Sequence, residues 1–408
     1  MIITATKLLT LQPGGTPIMN AAVVCRHGVI LDIGPTGPIL KKYPTHQVHS
    51  FDNAVLMPGL INTHIHLELP PLLDSIRGRT FPIWVLNLIR AKKKLQQEDY
   101  ALAASANINT LIQTGTTTVG EICTHGVSPA LLRQNGLRAI VFHETINMSS
   151  GTKPSKFMVH SSKNRPSEII CDGISPHSPY TVSESVLRHI THVSRQRNIR
   201  LSMHIAESKD EIRLLQGRKS GLQDLYHFAG WDLAWAPRGA SAFEYLQRIG
   251  FLSPALLAVH AVHVTDQDIS LMKKSSVSVA HCPRSNRETR VGRMPLKKFL
   301  DAGVPVGLGT DSLASSPSLN MWDEMRYAHR IHRRDGITPR DVLTMATSGA
   351  ARALGMDEAI GTLTPGKKAD LIAVRLPKKN TGDLSSDLLR ETKSCIMTMV
   401  NGKILYRE

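Results

Sequence analysis

Short apolar segments recur along the 408-residue chain, separated by amphipathic stretches. This rhythm constrains the fold more than any other feature, because strands that alternate with helices form parallel βα units. The eight segments are residues 60–67, 115–124, 137–146, 168–177, 200–208, 256–264, 276–286 and 305–312. Eight units predict an α/β fold with a closed (β/α)₈ barrel of the TIM type.

Three intervening stretches have apolar residues near the 3.6-residue period of a helix. They are residues 83–113, 183–196 and 339–354, and the last is followed by Gly355, a residue typical of helix ends.

The two ends of the chain are rich in short β segments. Residues 361–408 include Asn401-Gly402, a strong two-residue hairpin signal. Neither end can bury a large core alone, so we expect them to combine. The predicted domains are a small β-sandwich from residues 1–57 and 357–408, and the barrel from 58–356.

Two segments read as insertions into the barrel. Residues 147–167 are polar and rich in helix-breaking residues, which predicts a mobile loop after the third strand. Residues 215–250 contain Trp231 and Trp235. These tryptophans either wall a pocket or anchor the insertion to its core, and the sequence leaves both interpretations open.

Composition narrows the classes of function. The formal net charge is +16, but the basic residues are dispersed and no RNA-binding aromatic motif accompanies them, so nucleic acid is not an expected partner. No apolar run is long enough to cross a bilayer, and the N-terminal residues lack signal-peptide features. The five cysteines form no CxxC pair, which favours a reducing compartment, and we expect a cytoplasmic protein without membrane contact.

Two histidines end the first apolar segment. His64 and His66 are two residues apart, so on a strand their side chains point to the same face while Ile65 points away. At the carboxyl end of a barrel strand that face is the active-site mouth. Imidazole pairs bind zinc or iron well, so a shared divalent cation explains the pair better than two core histidines.

Other ionisable residues follow other strands. His204 ends the fifth segment and Asp311 the eighth, which completes a predicted ligand set with His64 and His66. Glu207 lies three residues beyond His204, and His260 directly follows the sixth apolar run, unlike His263. A carboxylate and an imidazole beside a metal predict proton transfer next to an activated water.

Five motifs carry a resemblance to a known family: PGLINTHIHLE, MHIAES, AVHAVH, VAHCPRSN and GLGTDSLASSPSLNMWDEM. They resemble the amidohydrolase superfamily, in the branch of cytosine deaminases and triazine hydrolases. The resemblance covers essentially the whole chain and implies four metal ligands, His64, His66, His204 and Asp311.

The same resemblance implies the catalytic roles. Glu207 would protonate a ring nitrogen of the substrate, His260 would orient the attacking water, and Asp311 would accept a proton. His177 and His281 match substrate-contacting positions. The fourth strand has no lysine for a second metal, so the predicted cofactor is one divalent ion, zinc or, as second choice, iron. Cys282 has no partner cysteine at metal-site spacing and is predicted to be structural.

Within the branch, HLELP followed by FPIWVLNLIRAKKK is similar to the aminodeoxyfutalosine deaminases of menaquinone biosynthesis. That resemblance implies an aminopurine nucleoside as the small-molecule substrate, deaminated with release of ammonia. Related enzymes place a ribose-binding glutamate before the tryptophan, whereas Ile83 precedes Trp84 here. A ribose contact would therefore come from elsewhere, for example Glu68, and Trp84 either lines the pocket or packs in the core.

Two alternatives to deamination stay open. The same residues would support hydrolysis of another leaving group, as in triazine chlorohydrolases or amide hydrolases. The chain would otherwise be a non-catalytic scaffold, although such scaffolds usually lose metal ligands and all four are present. A homodimer is also left open.

Overall fold

The computed structural model describes residues 1–148, 168–232, 241–379 and 381–408, which form two sheets surrounded by helices. The strands are β1 (Ile2–Leu8), β2 (Ile18–Arg26), β3 (Val29–Pro35), β4 (Val48–Pro58), β5 (Leu60–Ile65), β6 (Thr116–Cys123), β7 (Arg138–Thr145), β8 (Ile170–Pro176), β9 (Arg200–Ile205), β10 (Leu256–His260), β11 (Ser278–His281), β12 (Val306–Leu308), β13 (Leu371–Arg375), β14 (Met397–Val400) and β15 (Lys403–Arg407).

The helices follow most of the barrel strands in the chain. They are α1 (Thr36–Lys42), α2 (Phe81–Lys92), α3 (Gln97–Gln113), α4 (Ser128–Asn135), α5 (Glu184–Arg197), α6 (Lys209–Leu215), α7 (Gln223–Ala229), α8 (Ala242–Arg248), α9 (Asp266–Lys274), α10 (Pro283–Glu288), α11 (Leu296–Asp301), α12 (Met321–His332), α13 (Pro339–Met345), α14 (Ser348–Ala353) and α15 (Leu384–Glu391), with a 3₁₀ turn at Arg333–Asp335.

In the described chain, strands β5 to β12 form an eight-stranded sheet in sequential order, and each neighbouring pair is parallel. The sheet closes where β12 returns to β5. There the Asp311 N–H donates to the His64 carbonyl at 3.0 Å, and Asp311 forms a parallel bridge with Ile65. The predicted (β/α)₈ barrel is confirmed, and its strand carboxyl ends meet at one rim.

Strands from both ends of the chain form the other sheet, in the order β15-β14-β13-β4-β1-β2-β3. Edge strand β3 returns to the segment before β13, since the Ile30 N–H donates to the Lys367 carbonyl at 2.8 Å. The sheet therefore curls around one apolar cluster that includes Ile3, Val23 and Met399. The prediction that both ends of the chain combine in one small β domain is confirmed, and its seven strands form a single curled sheet.

A buried ion pair joins this domain to the barrel. Arg138, the first residue of β7, donates from Nε to Asp370 Oδ2 at 2.6 Å and from Nη2 to Oδ1 at 3.1 Å. Both side chains are almost fully buried, so each charge depends on the other for compensation.

The helix predicted over residues 83–113 is two helices, α2 and α3. The chain turns between them because Asp99 accepts a hydrogen bond from the Gln96 N–H at 2.8 Å, which starts a new helix with a capping box. Periodicity alone predicted one helix because the apolar positions continue across the break.

The helix predicted over residues 339–354 is likewise divided, into α13 and α14. The Ala346 carbonyl accepts a hydrogen bond from the Ile61 N–H at 2.8 Å, so the chain leaves the helical path to meet β5. The helix predicted over 183–196 is confirmed as α5.

No helix in the described ranges combines the length and apolar composition needed to span a bilayer. Of the predicted mobile loop, residues 149–167 lie outside the described part of the chain.

Candidate metal centre and active site

His64 and His66 project into the barrel mouth because Ile65 between them points outward. Ile65 packs in an apolar cluster with Ala104 and Ile108 of α3, which fixes the facing of the strand end. The two imidazole centroids lie 5.0 Å apart. The predicted common facing of the pair is therefore present in the structure.

His204 and His260 approach the same point from β9 and β10. The centroid of the His64 ring lies 4.9 Å from that of His204 and 6.0 Å from that of His260. Backbone and side-chain acceptors fix both tautomers: His204 Nδ1 donates to the His177 carbonyl at 2.9 Å, and His260 Nδ1 donates to Asn286 Oδ1 at 2.8 Å. Each ring therefore keeps Nε2 as a lone-pair donor.

Asp311 completes the cluster from the loop after β12. Its Oδ1 lies 3.7 Å from His64 Nε2 and 3.4 Å from His66 Nε2. Its Oδ2 accepts a hydrogen bond from Ser285 Oγ at 2.6 Å, which orients the carboxylate. The backbone of Asp311 is left-handed, with φ of 59°, a strained conformation of the kind that is common at functional sites.

The donor set fits a divalent cation. Ligand atoms of His64, His204 and His260 lie within 4.8 Å of one another, and so do those of His64, His66 and Asp311. Within the described part of the chain, neither ring nitrogen of the fully buried His64 has a hydrogen-bond partner. A buried imidazole without partners is costly, and a cation bound by nitrogen and carboxylate donors would remove that cost.

The ionisation states also suit metal binding. Burial lowers the pKa of His64 to about 4 and that of His66 to about 3, so both rings are neutral near pH 7. Burial alone would raise the pKa of Asp311, but the facing His64 and His66 rings hold it well below its ordinary value. Neutral imidazoles and an ionised carboxylate are the forms that bind metals.

Glu207 differs from Asp311 although both face the same cavity. Burial, with additional effects from Asp311 and Glu211, raises the pKa of Glu207 well above its ordinary value, which favours the protonated form of this carboxyl. Its Oε1 lies 3.5 Å from His260 Nε2. The surroundings thus shift the pKa values of these two carboxyl groups in opposite directions, which is an arrangement suited to acid–base chemistry.

Glu211 is a residue that sequence reasoning missed. It lies on α6 and accepts hydrogen bonds from the backbone N–H groups of Ala206 and Glu207, each at 2.8 Å. Ala206 has φ of 54°, and the two bonds stabilise this turn. No motif distinguishes Glu211, because a glutamate in the first turn of a helix is common.

One side of the cavity is an apolar wall from α2. Its residues recur at helical spacing on one face: Phe81, Trp84, Val85 and Leu88. Trp84 Nε1 donates to the Ala314 carbonyl at 3.3 Å, and its ring stacks on Phe81 with centroids 5.8 Å apart. The structure therefore places Trp84 in the pocket wall, one of the two positions that the sequence left open.

His177 lines the opposite side of the cavity. Its Nδ1 is hydrogen-bonded to Thr181 Oγ1 at 2.9 Å, which leaves Nε2 as its remaining polar atom. Burial lowers the pKa of His177 to about 3, so the ring is neutral. The predicted substrate-contacting position is consistent with this placement.

Glu68 and His281 do not line the cavity. The Glu68 carboxylate is occupied by backbone N–H groups of the loop after β6, among them Thr124, Val127 and Ser128 at 2.9 to 3.0 Å. The chain turns at Leu67 and Glu68, directly after His66, so strand alternation does not extend to Glu68. The suggested ribose contact from Glu68 is not supported by this position.

His281 is fully buried at the end of β11. Its Nε2 lies 3.2 Å from Nε2 of His332 on α12, so its polar partner is another core histidine. The structure therefore places His281 in the core and not beside the substrate cavity, where the sequence predicted it.

Glu144 is a second residue that sequence reasoning missed. Alternation along β7 points it to the same face as Phe142, which belongs to the same apolar cluster as Val259 of β10. Thr124 Oγ1 donates to its Oε2 at 2.8 Å. Although burial raises the pKa of Glu144, the facing His177 and His66 rings lower it to about 2, so the carboxylate is ionised.

The insertion after β9 contributes to the cavity through Leu225 of α7, whereas Trp231 does not line it. Trp231 packs edge-on against Tyr226 with centroids 5.5 Å apart, which anchors the insertion. Trp235 lies outside the described residues. Cys282 is a buried free thiol, in agreement with a structural role.

Comparisons with known proteins agree with this geometry. The model of the amidohydrolase family matches residues 55–405. A 5-methylthioadenosine/S-adenosylhomocysteine deaminase of Pelotomaculum thermopropionicum is 28% identical over 424 aligned residues, which cover 100% of this chain and 93% of the relative.

Two solved structures have the same fold. The aminofutalosine deaminase of Helicobacter pylori in complex with methylthio-coformycin superposes with a TM-score of 0.89 at 23% identity, covering 99% of both chains. An adenosine deaminase of Xanthomonas campestris with bound zinc gives a TM-score of 0.85 at 24% identity, covering 100% of this chain and 92% of that one.

Proposed function

Because the chain belongs to the amidohydrolase family, we propose that it is a metal-dependent hydrolytic deaminase of an aminopurine nucleoside, which converts the adenine ring to hypoxanthine and releases ammonia. The observation that carries this proposal is that Asp311 and Glu207 line one cavity together with His66, His204 and His260. The surroundings lower the pKa of Asp311 and raise that of Glu207. Deamination of a cyclic amidine requires both a proton acceptor and a proton donor.

Four residues would hold the metal ion: His64, His66, His204 and Asp311. The nitrogen and carboxylate donors, together with the zinc in the Xanthomonas campestris deaminase, support zinc over iron. When bound, a divalent ion supplies the Lewis acidity that makes water nucleophilic near neutral pH.

Different side chains around this centre accept and donate the protons that the reaction requires. Asp311 accepts a proton from the attacking water through Oδ1, while Ser285 holds its Oδ2. Glu207 donates its proton to the ring nitrogen beside the carbon under attack, so negative charge does not accumulate there. His260, fixed by Asn286 through Nδ1, presents Nε2 to the attacking oxygen.

The apolar wall of α2 suits the flat face of a purine. Trp84 and Phe81 are positioned to pack against the ring, and burial there excludes water from the reacting carbon. The relative from Pelotomaculum thermopropionicum, named for methylthioadenosine and adenosylhomocysteine, supports a nucleoside with a 5′ substituent.

Glu144 takes the role of the ribose-binding carboxylate that the sequence lacks before Trp84. It is ionised, and the two rings that lower its pKa, His177 and His66, both line the cavity. Glu68 is unsuited to this role because its oxygens already accept backbone hydrogen bonds.

The proposal also includes a pathway, a cellular compartment and an oligomeric state. The resemblance of HLELP and FPIWVLNLIRAKKK to aminodeoxyfutalosine deaminases supports a place in menaquinone biosynthesis. The five free, buried cysteines support a cytoplasmic protein. A homodimer stays a prediction that sedimentation of the purified protein would test.

Ammonia release from a nucleoside panel tests the function. Zinc-loaded protein should release ammonia from at least one of 5′-deoxyadenosine, methylthioadenosine, adenosylhomocysteine and aminodeoxyfutalosine, with a hypoxanthine product. Glu207→Gln should abolish turnover while the metal stays bound. Chloride release from a chlorotriazine without deamination of any nucleoside would contradict the proposal.

A further inference from the structure

A second cavity, of about 480 Å³, opens at the same end of the barrel as the candidate active site. Its walls are formed by residues that follow β5, β9, β10 and β11, including part of helix α6. Its basic side chains are Arg79, Lys209, Arg213 and Arg290. We call it the basic cavity.

The basic cavity adjoins the catalytic cavity. Phe81 lines both of them. Ser208, which follows Glu207 directly, and His263, three residues beyond His260, also line the basic cavity. A ligand whose heterocycle occupies the catalytic cavity would therefore extend a substituent past Phe81 into the basic cavity.

The charges of these four cations are not balanced by ion pairs within the described ranges of the chain. Among the residues that the structure describes, none of them forms an ion pair, whereas the neighbouring Arg293 pairs with Asp335 at 2.8 Å. The single carboxylate in the wall, Asp210, accepts a hydrogen bond from the Gly221 N–H at 2.9 Å. The wall therefore has a net charge of +3, counted from these four cations and Asp210.

Exposed lysines and arginines are usually solvated and independent of any ligand. Here they come from three separate segments, which are the loop before α2, helix α6 and the turn after α10, and they converge on one concavity beside the active site. Guanidinium groups present paired N–H donors that match the oxygens of a carboxylate or phosphate. This arrangement indicates that the four cations bind an anion, and do more than keep the surface soluble.

We propose that the basic cavity binds an anionic group, a carboxylate or phosphate, carried on the sugar of the nucleoside substrate. This inference rests on the proposed function and adds to it the charge of the preferred substrate. It also gives part of the +16 net charge a role that the sequence alone did not indicate.

Matched substrates test the charge requirement. Two adenosine 5′-thioethers of equal length, one ending in a carboxylate and one in the isosteric carboxamide, are compared by kcat/KM. Adenosine 5′-phosphate and adenosine form a second pair, which distinguishes the two kinds of anion. We expect at least a ten-fold preference for the anionic member of one pair, decreasing at high ionic strength.

Variants test the assignment of the residues. In the double variant Arg213→Gln, Arg290→Gln, the ratio of kcat/KM values for the anionic and neutral substrates should fall at least ten-fold. The control is Arg218→Gln, an exposed arginine that follows α6 and does not line the basic cavity. It should keep the ratio of the unmodified protein.

Equilibrium binding separates this inference from the proposed function. The hypoxanthine forms of the same ligands, titrated by calorimetry, should show the same preference for the anion and the same loss in the double variant. Absence of turnover with every nucleoside, but a retained binding preference, would refute the proposed function alone. Equal affinity for the anionic and neutral ligands, or a ratio unchanged in the double variant, would overturn the inference.

Discussion

Glu211 holds Glu207 through the backbone: its Oε2 accepts the Glu207 N–H at 2.8 Å. Its other oxygen accepts the Ala206 N–H at the same distance, so one carboxylate fixes both residues of a turn with left-handed backbone. The position of the proposed proton donor thus depends on a residue outside the cavity wall.

Glu211→Gln should reduce kcat about ten-fold or more, because an amide side chain has one oxygen and leaves one of the two N–H groups without an acceptor. KM and bound zinc should change little. Steady-state kinetics and metal analysis check this, with the exposed Glu358→Gln as control. A kcat equal to that of the control would contradict a positioning role.

Glu144→Gln should lower kcat/KM about ten-fold for nucleosides with free ribose hydroxyls, since a hydrogen bond to a charged acceptor contributes about 1.5–3 kcal/mol. A 2′,3′-dideoxy analogue should lose much less, because it has no hydroxyl to donate. Kinetics with the matched pair measure the difference. An equal loss for both substrates would show that Glu144 does not contact the ribose.

The sequence predicted the barrel and the converging ligands because both follow from strand periodicity. Side chains two residues apart on a strand share a face, and parallel strands share one rim, so strand periodicity alone predicts that His64, His66, His204 and Asp311 lie at one end of the barrel. In the structure, His64 groups with His66 and Asp311, and also with His204 and His260. Alternation along β7 would also have indicated Glu144, which follows a buried run in the same way as His260.

Strand and helix periodicity did not predict the course of the loops or the positions where helices are interrupted. Glu68 leaves the strand pattern because it lies in the turn that follows β5, and His281 turns toward a histidine of α12 that is distant in the sequence. The division between α13 and α14 depends on a hydrogen bond from Ile61, a contact that only the closed barrel creates. Such contacts are tertiary and have no local signal.

Glu68→Gln should lower the free energy of unfolding by on the order of 3 kcal/mol, because this buried carboxylate accepts hydrogen bonds from several backbone N–H groups of one loop. Urea unfolding measures the change. The matched control is Glu98→Gln, at an exposed position on α3. Equal stability of the two variants would contradict a structural role for Glu68.

The free energy of unfolding should depend on pH because of the buried carboxyl group of Glu324. Burial raises its pKa to about 8, from an ordinary value of 4.5, and Oε2 has no hydrogen-bond partner in the described part of the chain. Between these values the folded protein binds one more proton than the unfolded chain. The free energy of unfolding should therefore fall as pH rises from 4.5 to 8, by up to about 1.4 kcal/mol per pH unit.

Glu324→Gln should remove this contribution because the amide does not titrate. Urea unfolding at pH 5.5, 6.5 and 7.5 should show a shallower decline in the variant than in the unmodified protein. Parallel declines for the two proteins would indicate that Glu324 is ionised in the folded state.

One divalent ion should be bound by His64, His66, His204 and Asp311, at the ends of β5 and β9 and in the loop after β12. Equilibrium zinc content per chain, measured after dialysis for the unmodified protein and for His64→Ala, tests it most directly. We predict one zinc per chain in the unmodified protein and none in a folded variant. Equal zinc content in the two proteins, or a fully active unmodified protein that binds no divalent metal, would contradict the account.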